Sequence, residues 1–290
     1  MRKLLWTGTL IIAAAFTVID VNAQERREYK DVTYATVNGR TLRLDVYMPQ
    51  MVQSPFLVVW VHGGAWSGGS KEGPPLQFVQ SGFALASLDF RLSTEAQFPA
   101  QVHDIKAAIR FLRTEASKYG YRSDRIAISG SSSGAHLAAL VGTTNGHKEL
   151  EGRIGGHLEQ SSAVQAIVTY YGASNLTTIL NQSTPFGVNM RLPALERLLG
   201  AKPDAVPELA KLASPVFHVG PGDPPLLLFH GDQDPQMPIN QSHELEGAYE
   251  KHDLPVTFDV VHGAVHGGPP FFDAKRLDRA VKFLKEALGR

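Results

Sequence analysis

One pentapeptide constrains this chain more than any other feature. Gly130-Ser131-Ser132-Ser133-Gly134 is its only Gly-x-Ser-x-Gly, and it lies between an apolar run, Ile126-Ala127-Ile128, and a helical stretch, Ala135 to Leu140. A strand that turns directly into a helix around one serine bends so sharply that the serine takes a strained backbone. The positions flanking it then have no room for side chains. Glycines at both flanks meet that need. Only Ser132 is central between them, so Ser132 is the expected nucleophile, and Ser133 should contribute its backbone N–H rather than its hydroxyl. A plain Ser/Gly-rich turn accounts for the composition but not for this placement.

The surrounding pattern supplies the sheet that such a turn requires. Val32, Tyr34 and Thr36, then Asn38-Gly39, then Leu42, Leu44 and Val46 read as a β-hairpin. Strands are expected at Phe56–His62, Ala84–Phe90, Arg125–Ser129, Val164–Tyr171, Pro225–His230 and Val256–Val261, several of them apolar on both faces. Helical patterns fall between them: one from Pro99 through Leu112, then Ser133–Gly142, Asn240–His252 and Asp273–Leu288. Alternation of this kind implies right-handed crossovers and a mostly parallel, doubly wound α/β sheet. Residues 174–213 break the rhythm with four prolines and no convincing strand. They read either as a small helical excursion over the C-terminal edge of the sheet, where such sheets bind ligands, or as a plain surface crossover.

A serine hydroxyl needs a base to take its proton. Of eleven histidines, His266 stands out, in the glycine-flanked loop His262-Gly263-Ala264-Val265-His266-Gly267-Gly268 after the last strand. Nucleophile, acid, then histidine is the chain order expected on this kind of sheet. The acid should follow the preceding strand, where His230-Gly231-Asp232-Gln233-Asp234-Pro235 offers two carboxylates. Asp234 lies far enough past the strand end to reach across the rim, whereas Asp232 is placed to brace the turn. Acyl transfer also creates an oxyanion that needs fixed donors. His62-Gly63-Gly64-Ala65-Trp66 can aim the N–H groups of Gly64 and Ala65 at one point, with that of Ser133 as a third. Trp66 is expected to wall the substrate pocket, with packing beneath the loop as the alternative. His62 is read as a structural hydrogen bonder.

Bulk properties narrow the partners. Lys+Arg and Asp+Glu both number 28 and no strongly basic stretch occurs, which argues against nucleic acid. With no cysteine, thiol catalysis and disulfides are excluded. No cofactor or metal is called for. Met1-Arg2-Lys3, the apolar run Leu4 to Val18 and Val21-Asn22-Ala23 read as a secretory signal cut after Ala23. The apolar run falls short of a spanning helix and is interrupted by Thr7, Gly8 and Thr9, so no stable membrane insertion is expected once it is removed. Residues 24–290 are expected to form a single catalytic domain, in a secreted or periplasmic protein.

The ordered set His-Gly-Gly-Ala-Trp, Ser-Gly-Ser-Ser-Ser-Gly-Ala-His-Leu, His-Gly-Asp-Gln-Asp and Gly-Ala-Val-His-Gly resembles the α/β-hydrolase superfamily. Within it, the chain is similar to serine carboxylesterases related to bacterial bifunctional feruloyl and acetyl-xylan esterases, neighbours of the hormone-sensitive-lipase-like group. Asp89 to Glu95, Phe98-Pro99-Ala100-Gln101 and Asp104 carry the same likeness, which spans residues from about 30 to 288. The resemblance implies an α/β-hydrolase fold, the triad Ser132, Asp234 and His266, and oxyanion donors at Gly64 and Ala65. Ala65 stands where many relatives have a third glycine. Arg91, Glu95 and Asp104 read as a charge network supporting the loops. The implied activity is hydrolysis of small or polysaccharide-linked esters, acetyl or feruloyl among them. Amide hydrolysis of an arylformamidase or peptidase kind, and a non-catalytic binding protein, are the competing readings.

Overall fold

Asn38 and Gly39 turn the chain with positive φ, and β1 (Glu28–Val37) folds antiparallel onto β2 (Arg40–Tyr47) as the hairpin pattern requires. The computed structural model describes residues 27–289, so the expected leader at 1–23 lies outside the described residues. Then follow β3 (Phe56–Val61), β4 (Ala84–Leu88), α1 (Ala100–Thr114), β5 (Arg122–Ser131) and α2 (Ser133–Thr143). The second half holds β6 (Ala166–Tyr170), α3 (Pro185–Leu199), β7 (Leu226–Gly231), α4 (Asn240–Glu250), β8 (Val256–Val261) and α5 (Ala274–Leu288).

The strands form one eight-stranded sheet in the order β1-β2-β4-β3-β5-β6-β7-β8. The pairs β1–β2 and β2–β4 are antiparallel and the rest are parallel. This is the α/β-hydrolase architecture expected from the sequence. Ends moved where polar residues concealed pairing: β5 begins at Arg122, opposite Phe56 across a register shift, rather than at Arg125. Pro99 sits at the start of α1, as expected, one residue before the first helical position.

Side-chain alternation gives both faces of the sheet an apolar surface. Leu57, Val59, Val61, Ile126 and Ile128 join one core with Ile105 and Ile109 of α1 and Leu137 of α2. Val58, Trp60, Val168, Leu227 and Phe229 join the other with Ala280 and Leu284 of α5. The order reverses between β3 and β5, because β4 lies on one side of β3 and β5 on the other. At such a switch the loops leaving two neighbouring strands diverge and open a crevice. Val61 of β3 pairs with Gly130 of β5, so the loops that follow each strand start side by side.

Residues 174–213 contain no strand. They hold helices Ile179–Gln182, α3 and Pro207–Leu212, with a 3₁₀ turn at Pro203–Ala205. Pro185, Pro203 and Pro207 open these elements, where a missing N–H costs nothing, and Pro193 sits inside α3. Three of the four prolines that disturb the sequence pattern are therefore helix starts.

His136, fully buried on α2, ties three layers together. Its Nδ1 accepts from Trp66 Nε1 at 3.1 Å, and its Nε2 donates to the Ala213 carbonyl at 2.6 Å. Burial holds this imidazole neutral, with its pKa lowered from 6.5 to about 4 despite the hydrogen bond to Ala213. Between those values the unfolded chain binds a proton that the folded chain does not, so stability is lost as pH falls from 6.5 toward 4. The contribution of this one site is on the order of 3 kcal/mol. In urea unfolding across that range, His136→Gln should show a shallower loss of stability with acid than the wild type. An unchanged slope would refute the coupling.

Candidate active site

The elbow has the geometry that its sequence demands. Ser132 lies at φ 53°, ψ −123°, between the last residue of β5 and the first of α2. A Cβ on Gly134 would overlap the carbonyls of Val61 and His62, and one on Gly130 would overlap those of Gly134 and Val61. The Ser132 N–H donates to the Tyr170 carbonyl at 2.9 Å, fixing the turn to β6.

Three side chains meet at this point. Ser132 Oγ lies 2.8 Å from His266 Nε2, and His266 Nδ1 lies 2.6 Å from Asp234 Oδ2. A carboxylate only accepts, so Nδ1 carries the imidazole proton and Nε2 is left to accept from the serine hydroxyl. Asp234 is fully buried, and its Oδ1 accepts from the backbone N–H groups of Gln236 (2.8 Å) and Met237 (2.9 Å). Burial alone would raise its pKa. Contacts from His230 and His266 and the Met237 N–H outweigh burial and hold the carboxyl far below the usual range. It is therefore an anion at neutral pH. Asp232 does something else: its carboxylate takes His262 Nδ1 at 2.8 Å and the Gly263 N–H at 2.7 Å, and His262 is 84% exposed. Of the two carboxylates offered by the sequence, Asp234 faces His266 and Asp232 braces the turn.

The loop after β3 takes positive φ at three successive residues, Gly64 (122°), Ala65 (52°) and Trp66 (58°). Such a run turns consecutive N–H groups toward one side. Among the described residues, the N–H groups of Gly64 and Ala65 have no hydrogen-bond acceptor, and both residues border the pocket that contains Ser132. Ser133, as the first residue of α2, has an N–H free of intrahelical bonding. Its hydroxyl is buried without a partner, so the backbone is the group it can offer.

The structure corrects the expectation for Trp66. This residue does not line the pocket; it is fully buried in the core beneath the loop. The positive φ values at Ala65 and Trp66 carry its side chain under the turn, and a buried indole N–H needs an acceptor, which His136 supplies. His62 is structural, as expected: its Nδ1 lies 2.7 Å from the Gly63 carbonyl and its ring stacks on Phe90 at 4.5 Å. Arg91 and Asp104 pair through Nε and Nη2, one edge of the guanidinium, while Glu95 holds Arg40 and the Leu92 N–H.

The pocket, about 340 Å³, is completed by residues that the sequence did not single out. Tyr171 stands edge-on to the His266 ring at 4.8 Å, in the left-handed region at φ 44°. Burial raises its pKa, so it remains a phenol. Tyr170-Tyr171-Gly172 at a strand end is the only sequence cue for it. Met190 and Arg191 come from α3, so the 174–213 segment forms part of the wall, and Gln236 follows the acid.

Comparison with known proteins agrees with this geometry. The BD-FAE family model matches residues 44–249. The chain is 33% identical to the esterase LipQ of Mycobacterium tuberculosis over 75% of this chain and 52% of that protein. It thus spans about half the length of the curated relatives it matches. A truncated carbohydrate esterase from gut microbiota superposes with a TM-score of 0.84 at 31% identity, covering 91% of this chain and 97% of that one. A bifunctional GH43-CE protein of Bacteroides eggerthii gives 0.82 at 32% identity, over 90% of this chain and 35% of its own.

Exchanging the two carboxylates separately tests their division of labour. Asp234→Asn should lower kcat by about 10⁴, because the imidazole loses its tautomer and its counter-charge. Asp232→Asn removes an exposed pair, the kind worth little, and should leave turnover within a few-fold of wild type. Comparable losses in both would contradict the assignment.

Proposed function

Because the chain belongs to the BD-FAE family, with the family match running over residues 44–249, we propose that it hydrolyses carboxylic esters through an acyl-enzyme formed on Ser132. The observation that carries this reading is the unbroken line from Asp234 through His266 to Ser132 Oγ, at 2.6 and 2.8 Å, opening on a pocket bordered by Gly64 and Ala65.

Ser132 Oγ attacks the ester carbonyl while His266 Nε2 takes its proton. The N–H groups of Gly64, Ala65 and Ser133 receive the developing oxyanion. Asp234 keeps the Nδ1 proton in place and offsets the imidazolium charge. His266 then returns the proton to the departing alkoxide, which leaves as an alcohol. Water adds to the acyl carbon, with His266 taking its proton, and collapse of that second intermediate frees the acid and restores Ser132. Tyr171 limits the imidazole ring to the plane this shuttle needs.

The substrates proposed are small esters, with acetyl or feruloyl groups on carbohydrate foremost. Similarity to a carbohydrate esterase supports that choice, as does the absence of a net formal charge on the chain. The test is a panel of p-nitrophenyl acetate and butyrate, methyl ferulate, acetylated xylan and a formamide. Ester cleavage should exceed formamide cleavage, and Ser132→Ala should reduce it by about 10⁶ without lowering the unfolding midpoint. A mutant that keeps wild-type rates, or a formamide rate rivalling every ester, would overturn the proposal.

Export is part of the same proposal, supported by the basic start, the apolar run and the small residues before Gln24. Among the described residues no helix is long and apolar enough to cross a membrane. Protein recovered from outside the cytoplasm of the expressing cell should begin at Gln24; an intact Met1 there would sink the idea.

A further inference from the structure

Among the described residues, Arg191 is the one permanently charged side chain bordering the pocket, and it forms no salt bridge with another of them. It is 2% exposed. Its Nε donates to the Gln236 carbonyl at 2.9 Å and its Nη2 reaches Gln236 Oε1 at 3.3 Å, while the buried Nη1 has no acceptor. Both partners are neutral. Asp234 attracts the guanidinium through space without bonding to it, and that carboxylate is already engaged by His266 and two backbone N–H groups. A guanidinium stays charged in a protein, and burying it without a counter-ion is unfavourable. The other described residues bordering the pocket include no carboxylate, so the guanidinium has no anion in direct contact and feels only the field of Asp234.

On the premise that the site hydrolyses esters, we propose that Arg191 selects substrates carrying a carboxylate near the scissile bond, on either the acid or the alcohol portion. A neutral oxygen would satisfy one N–H and leave the charge uncompensated. A carboxylate supplies both acceptor and counter-charge. Met190, the neighbouring residue on α3 and half-exposed, gives the carbon skeleton between ester and carboxylate an apolar flank. A bracing role alone would require only the Gln236 contacts. It would leave Nη1, on a residue that borders the pocket, without an acceptor, and a buried donor without one is costly.

Two matched pairs test this, each comparing a carboxylate with its amide: 4-acetoxybenzoate against 4-acetoxybenzamide, and monomethyl glutarate against methyl glutaramate. In the wild type the carboxylate member of at least one pair should have the higher kcat/KM. Arg191→Met should lower that carboxylate-to-amide ratio tenfold or more, and Arg191→Lys should keep part of it. Comparing ratios between variants cancels the intrinsic reactivity of each ester and any general effect on the acid loop. Binding provides an arm free of turnover: by calorimetry, Ser132→Ala should bind 4-acetoxybenzoate more tightly than the amide, and adding Arg191→Met should abolish the difference. Ratios that do not change with Arg191→Met, or wild-type preference for the amide in both pairs, would overturn the proposal. Failure of the ester-hydrolase reading looks different: no member of either pair is turned over, or Ser132→Ala turns them over as well as wild type does.

Discussion

The contact on which the rest of the site depends is between backbones, not side chains. The end of β3 and the elbow after β5 approach so closely that Gly134 faces the carbonyls of Val61 and His62 with no space for a methyl group. A Cβ on Gly63 would likewise press on the Ser131 carbonyl at 2.9 Å. The donor loop and the nucleophile are therefore registered by main chain alone. A rotamer change cannot separate them, which is the preorganisation that an oxyanion site requires. The reversal of strand order between β3 and β5 makes this approach available, since only there do two adjacent loops open away from each other.

The other half of the site repeats the device. Gly231, at the end of β7, lies against the Ala264 backbone so tightly that a side chain would overlap it. The Gln233 N–H donates to the Ala264 carbonyl at 3.1 Å. Asp232 with His262 and Asp234 with His266 then join the same two loops at two levels, one exposed and one buried. Only the buried pair lies near Ser132. Backbone strain gathers in the same neighbourhood: Ala65, Trp66, Ser132 and Tyr171 are four of the nine described non-glycine residues with positive φ.

Much of this was legible in the sequence where the determinant is local. Period-two alternation and apolar runs marked the strands, and glycine placement marked the elbow and the histidine loop. Ser132, His266 and Asp234 were readable because each follows a strand end, and strand ends of a parallel sheet converge on one edge. Residues whose position is set by folding at a distance were not readable. Tyr171 is one apolar residue among several until β6 is placed beside β5. Arg191 and Gln236 are 45 residues apart in sequence and meet only because α3 sits on the acid loop. Trp66 shows the opposite failure: its neighbours predicted a position beside the pocket, but its backbone dihedrals, which the sequence does not display, put the ring underneath. His136 lay in plain view inside the elbow motif, yet its two partners come from a different loop and a different helix.

The segment between β6 and β7 contributes no strand to the sheet, so the hydrogen-bond ladder closes without it. It nevertheless supplies one wall of the pocket. Gln241 and Glu244 of α4 hold its start, and it meets the acid loop through Arg191 to Gln236 and through Gly187 and Thr184 against the Pro235 carbonyl. Such an insert can diverge, lengthen or be exchanged between homologues while the elbow, donor loop and histidine stay fixed. The contacts with the acid loop bear on the residues just past Asp234, so a transplanted wall also resets the platform under the acid. A graft that alters substrate choice without matching Pro235-Gln236 would therefore be expected to lose rate as well as change preference. Residues 185–191 and 234–237 therefore act as one structural unit, although the chain separates them by more than forty residues.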